Sequence, residues 1–166
     1  MKESSAKLVV EEMKAAGINY VVQLPDTGLF QIHTLCKNDP YFNYIPVNNE
    51  FEGAGIVAGL WLAGKTAILA MENSGLRVAS EALCRLGIRD GIPIFMMMSY
   101  RGCFGDANWF AQNHGIAMEP LLQALRIPYM ILDKEEDIKG SFQNALKTLE
   151  VRKYHVAIVI GGGLLW

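Results

Sequence analysis

The stretch Asn48-Asn49-Glu50-Phe51-Glu52-Gly53-Ala54-Gly55-Ile56-Val57-Ala58-Gly59 decides the fold. It follows the short apolar run 44–47, a strand, and reads as a helix over 50–63. That helix is almost wholly apolar and rich in glycine. A solvent-facing helix has no need of this composition; a buried helix that lets another backbone come close does. Glu50 and Glu52 stand out at its head. A buried, unpaired charge is costly, so a carboxylate in such surroundings is either paired or employed.

Outward from this helix, apolar runs alternate with segments of helical period. Helices are read over 4–16 with a Ser cap and Gly17 as stop, 27–37 ended by Asp39-Pro40, 76–86, 117–125 and 135–150. Strands are read over 20–24, 44–47, 66–72, 93–99, 129–132 and 155–160. The run 93–99 is solidly apolar, as in a sheet covered on both faces. The alternation predicts an α/β fold: a doubly wound, six-stranded parallel sheet with helices on both faces. There is no linker, repeat or low-complexity segment, so residues 1–166 are read as a single domain.

The bulk numbers narrow the function. With 166 residues, 51% hydrophobic and 19% charged, the chain can bury a full core. Its net charge of −2 comes without any basic run, which argues against nucleic acid as a partner. Cys36, Cys84 and Cys103 lack CxxC spacing and read as reduced thiols of a cytoplasmic protein. The polar N-terminus is no signal peptide, and no apolar run reaches the ~20 residues of a membrane span. The apolar excess, with eight Met and three Trp, points to a large subunit interface.

In a doubly wound sheet, ligands bind where strands end and helices begin. The loops concerned are Pro25-Asp26-Thr27, Asn48-Asn49-Glu50, Asn73-Ser74-Gly75 and the segment 100–115. Glu50 and Glu52 each have a simple reading as first-turn carboxylates that complement the helix dipole, an effect of ~0.3–1 kcal/mol. Asp26 reads as a turn and cap residue or as a rim acid. Asn73-Ser74-Gly75 is a cap, or a backbone approach to a ligand. At ~16 residues, the segment 100–115 is long for a compact domain, and such loops tend to be functional. It holds Arg101 for an anion, Gln112, and His114, which reads either as a proton-transfer group or, as a lone His more often does, as a satisfied structural residue. His33 and His155 read as structural. Gly161-Gly162-Gly163 has no helix after it and is no phosphate loop. Gly105-Asp106-Ala107-Asn108 lacks the spacing of a diphosphate motif.

Taken together, several motifs resemble the thiamine-diphosphate-dependent decarboxylases of sulfopyruvate and phosphonopyruvate. They are Leu24-Pro25-Asp26, the run 50–65 and Asn73-Ser74-Gly75-Leu76. Ser99-Tyr100-Arg101-Gly102, Gln112 with Gly115, Leu121-Leu122 and Leu125-Arg126-Ile127-Pro128 follow. The resemblance covers nearly the whole chain and identifies it with the pyrimidine-binding (PYR) domain of that family. It implies that Glu50 is the carboxyl that hydrogen-bonds and exchanges a proton with the cofactor's aminopyrimidine ring. The cofactor then serves as electron sink for loss of CO2 from a 2-oxo acid. Asp26 becomes a substrate-side acid/base, and Pro25, Thr27, Asn73, Ser74 and Gly75 the surroundings of the cofactor. Arg101, Gln112 and His114 become substrate contacts.

The family's Gly-Asp-Gly motif followed by an Asn pair, which holds the diphosphate and Mg²⁺, is not in this sequence. The resemblance therefore implies a partner (beta) subunit with the diphosphate-binding (PP) domain, in a heterotetramer or larger, with no metal ligand in this chain. The sequence also departs from the family. Arg77-Val78 stand where Gly-Asn follows Asn-Ser-Gly-Leu, and Ile116 and Met118 stand where Arg and Thr follow Gln-x-x-Gly. Two other readings are carried: a carboligase or acyl-transferase subunit using the same cofactor, and a non-catalytic binding or regulatory domain.

Overall fold

The computed structural model describes all 166 residues. Its strands are β1 (Tyr20–Gln23), β2 (Asn43–Pro46), β3 (Ala67–Glu72), β4 (Phe95–Ser99), β5 (Tyr129–Leu132) and β6 (Val156–Ile160). They form one sheet in the order β2-β1-β3-β4-β6-β5, with every pair parallel. β4 and β6 are buried at every position, so they read as unbroken apolar runs without alternation. β2 and β5 are the edges and are partly open.

Successive side chains point to opposite faces of the sheet, and the core divides accordingly. Ile68, Ala70, Phe95, Met97, Ile158 and Ile160 face α1 (Glu3–Ala15), α2 (Phe30–Asn38) and α7 (Ser141–Arg152). Leu69, Met71, Met96, Met98, Ala157 and Val159 face α3 (Glu50–Leu62), α4 (Gly75–Leu83) and α5 (Gln112–Ala124). The sheet is thus doubly wound, as the alternation predicts. No helix is long and apolar enough to cross a membrane.

Four local readings are corrected. The first helix has no serine cap: Lys2 is its N-cap, and the Ser4 and Ser5 hydroxyls donate to Glu135 instead. The helix read over 135–150 is two, α6 (Glu135–Ile138) and α7, because Gly140 takes φ +74° between them. A short helix, α8 (Gly162–Leu165), does follow the glycine run, and its Gly163 N–H donates to the Asp133 carboxylate.

The fourth correction concerns the helix that decides the fold. α3 buries Gly53, Ala54, Val57 and Ala58, and Gly53 is the close-packing glycine. A Cβ there would stand 2.6 Å from the Leu69 side chain. Gly55 and Gly59 have open space around them instead. With Phe51 at 50% exposure and Leu62 at 70%, they form an apolar stripe facing outward. α3 is buried on one side only.

Candidate active site

From β1 the sheet continues to β2 on one side and to β3 on the other. The crevice at the carboxyl ends of β1 and β3 is therefore the topological switch point, where such sheets bind ligands. Asp26 leaves β1 there, Asn73-Ser74-Gly75 leaves β3, and α3 starts beside them.

The two carboxylates of α3 have separate roles. Asn49 caps the helix by accepting from the Glu52 N–H at 2.9 Å, and Glu52 accepts from the Asn48 N–H at 3.0 Å. Glu52 is thus an exposed member of a reciprocal cap. Glu50 is only 6% exposed and accepts no hydrogen bond within the chain, yet its oxygens are not sealed from solvent. It lies flush on the first residue of α4. A Cβ at position 75 would stand within 2.6 Å of Glu50 Cδ and nearer still to Oε1. Glycine at 75 is what admits the carboxyl.

Asp26 is held from one side only. Its Oδ1 accepts from the N–H groups of Gly28 (2.5 Å) and Leu29 (3.0 Å) and from the Ser99 hydroxyl (3.3 Å). Its Oδ2 is buried without a partner. Burial pushes the carboxyl pKa up, the two N–H bonds pull it back, and the nearby Glu72 charge raises it again; the net shift is upward. The side chain of Gln23, just before this loop, is fully buried and has both amide atoms unpartnered. The side-chain polar atoms that are both sealed from solvent and unpartnered therefore all fall on Gln23 and Asp26, at the end of β1.

Arg101, Asn73 and Thr27 form a strut across three loops. Asn73 Nδ2 donates to the Arg101 carbonyl at 2.8 Å, and the Arg101 N–H returns a bond to Asn73 Oδ1 at 3.3 Å. The guanidinium donates to Asp106 Oδ2 (2.9 Å) and Thr27 Oγ1 (3.1 Å) in a buried ion pair. Burial by itself raises the Asp106 pKa. The bonds from Arg101, Gly102 and Asn108 outweigh this and hold it far below the carboxylate range. Gln112 donates to the Asp106 carbonyl at 3.3 Å. The glycines of two quoted motifs also meet here: a Cβ on Gly102 would stand 2.8 Å from the Gly115 N. The structure therefore uses Arg101, Asn73 and Gln112 to hold the loop 100–111 in place. Pro25 is exposed, and Ser74 Oγ donates to Glu72 Oε1 at 2.8 Å.

His114 belongs to a different group. Its Nδ1 faces Arg77 Nη2 at 2.7 Å, and its Nε2 lies 3.8 Å from Glu72 Oε1. Sequence reasoning misses Glu72, which closes a strand read as ending at 72, and it weighs Arg77 only as a replacement for the arginine missing after Gln-x-x-Gly, which position alone does not establish. It misses Ser99 as well, which braces Asp26 but looks like the polar end of an apolar strand. His33 and His155 are structural as read: His33 bonds Tyr44, and His155 accepts from the Ile94 N–H and donates to the Leu83 carbonyl.

No protein-family model matches the chain. It is 36% identical over 129 residues to the sulfopyruvate decarboxylase subunit alpha of Methanothermobacter thermautotrophicus, covering 78% of each chain. It is 26% identical over 151 residues to the sulfopyruvate decarboxylase of Methanosarcina acetivorans, spanning 91% of this chain but 38% of that longer one. Among solved structures, a 2-oxoglutarate:ferredoxin oxidoreductase from Magnetococcus marinus superposes on 98% of the chain. Its TM-score is 0.72 at 14% identity, over 29% of that chain's length, and it bears on the fold alone. With the six-stranded fold and the crevice at its switch point, the first of these relatives decides the matter: the chain belongs to the sulfopyruvate decarboxylase alpha-subunit family.

Proposed function

We propose that this chain is the pyrimidine-binding subunit of a thiamine-diphosphate-dependent 2-oxo acid decarboxylase, and that residues 1–166 form that one domain. The observation that carries the reading is Glu50, a buried carboxyl with no hydrogen-bond partner in its own chain, set against a glycine that leaves room beside it. A heteroaromatic ring offering an N–H or a protonatable ring nitrogen fits that carboxyl, so the residues present suit the cofactor. Thiamine diphosphate, when bound, supplies the carbon nucleophile and the electron sink that loss of CO2 requires. Glu50 would hold the pyrimidine edge and carry a proton to and from it. Asp26, kept at a raised pKa by burial, would donate or accept a proton on the substrate side. Pro25, Thr27, Ser74 and Gly75 would shape the space around the ring, and the Asn73–Arg101 strut would keep those loops apart.

The diphosphate and Mg²⁺ fall to a partner subunit that carries Gly-Asp-Gly and an Asn pair, in a heterotetramer or larger assembly. Two observations support this. A relative contains a region like this chain as 38% of its length, so the unit occurs joined to a larger remainder. The outward stripe of Phe51, Gly55, Gly59 and Leu62 also offers an apolar surface at the side of the site. Three free cysteines fit a cytoplasmic assembly.

The test mixes the chain with such a partner, thiamine diphosphate, Mg²⁺ and a panel of 2-oxo acids. CO2 and an aldehyde should form only when both chains are present. A ligation product would make the protein a carboligase. No cofactor binding with the partner would favour a non-catalytic domain.

A further inference from the structure

The crevice has an electrostatic problem: Asp26, Glu50 and Glu72 gather there, and the substrate is itself an anion. Like charges brought together in a partly desolvated site repel strongly. Two arginines stand on loops or first helical turns bordering the crevice. Arg101 is buried and its charge is neutralised by Asp106. Arg77, on the first turn of α4 and two residues beyond the glycine that touches Glu50, is exposed and has no carboxylate within ion-pair distance. Its one side-chain hydrogen bond is to His114 Nδ1 at 2.7 Å.

That contact orients the arginine. A guanidinium only donates, so His114 Nδ1 accepts, and the ring proton sits on Nε2, facing Glu72 Oε1 at 3.8 Å. The Ser74 hydroxyl fixes Glu72 in turn. One of the five guanidinium N–H donors is engaged, and the rest of the planar fork remains for a ligand. Such a fork suits a carboxylate, sulfonate or phosphonate, gripped by two parallel bonds.

Resting on the decarboxylase reading, we propose that Arg77, positioned by His114 and Glu72, binds the anionic group that the substrate keeps. The retained group is the one to expect for a physical reason. A cation gripping the carboxylate about to leave would stabilise charge that vanishes in the transition state, and so would slow the reaction. The relative named for sulfopyruvate acts on a 2-oxo acid that carries such a second anion on the carbon beside the keto group, and Arg77 is the residue assigned here to grip it. His114 is a positioning residue.

The experiment uses the two-subunit complex with cofactor and Mg²⁺. It compares sulfopyruvate with pyruvate as substrates, and calorimetry of sulfoacetate, an unreactive dianion without a keto group. Arg77→Gln should raise KM for sulfopyruvate by ~10- to 100-fold and weaken sulfoacetate to a similar degree, while pyruvate changes less than ~3-fold. Arg77→Lys, which keeps the charge but not the fork, should fall between. His114→Ala should raise KM several-fold with kcat within ~2-fold, and His114→Asn, which offers an acceptor oxygen to Arg77, should recover part of it. Equal effects on both substrates, or none, overturn this proposal and leave the decarboxylase reading standing. A wild-type complex that releases CO2 from no 2-oxo acid overturns that reading, and this proposal with it.

Discussion

The apposition of Glu50 and Gly75 can be measured without any activity. A Cβ at 75 would meet Glu50 Cδ at 2.6 Å, about 0.8 Å inside the 3.4 Å at which ordinary contact begins. It would also meet Glu50 Cγ at 2.5 Å, so swinging the carboxyl alone does not clear it. Overpacking of this kind costs ~1–3 kcal/mol. Gly75→Ala also gains up to ~1 kcal/mol in helix propensity, which obscures the clash in a single variant. A double-mutant cycle with Glu50→Ala removes that term, since it is common to both backgrounds. We expect Gly75→Ala to be harmful beside Glu50 and harmless or stabilising in the Glu50→Ala background, with a coupling of ~1–3 kcal/mol. At ~2–4 °C per kcal/mol for a chain of this size, thermal melts resolve this easily. Additivity within ~0.5 kcal/mol would refute the contact and remove the main reason for glycine at 75.

Other predictions concern pH, the strut and the interface. His155 is fully buried as a neutral ring, and burial lowers its pKa below the ordinary 6.5. As pH falls through ~6.5 the unfolded chain takes the proton first, so stability is full above that value and declines toward the lower folded pKa. Melting temperature against pH from about 5 to 8 should show this decline, and a flatter slope in His155→Asn; equal slopes would disprove it. Asp106→Ala leaves the Arg101 guanidinium buried without its partner and should cost ~3–5 kcal/mol in a urea titration. A loss under ~1 kcal/mol would show that water replaces the carboxylate freely. Phe51→Glu with Leu62→Glu should leave the melt of the isolated chain within ~0.5 kcal/mol per site and abolish co-elution with the partner subunit. Unchanged co-elution would move the interface elsewhere.

The sheet was legible because its signal is redundant. β3, β4 and β6 are continuous apolar runs, and each lies within two residues of its sequence reading. Helix ends were harder to read. The break at Gly140 is hidden because Ile138, Phe142, Ala145 and Leu149 keep helical spacing straight through it. The start of α5 at Gln112 is hidden because Gly115 argues against a helix before 117, and only the backbone contact between Gly102 and Gly115 explains the glycine. Within the site, the rim loops and the head of α3 were readable from strand–helix order alone. The pairing of Arg101 with Asp106 and of Arg77 with His114 was not, since it depends on which of several rim charges meet in space. The outward stripe of α3 was hidden for a similar reason. Glycine and apolar residues on every side of a helix look the same whether they pack against this chain or another.

The role of Glu50 is tested most directly by CO2 release from the reconstituted two-subunit complex carrying Glu50→Gln or Glu52→Gln, at saturating thiamine diphosphate and Mg²⁺. Glu50→Gln keeps the shape of the side chain but cannot carry the proton, and should lower kcat by at least ~100-fold. Glu52→Gln alters only an exposed cap and should retain most activity. Full activity in Glu50→Gln, or an equal loss in both variants, would contradict the assignment of Glu50 as the proton-carrying carboxyl.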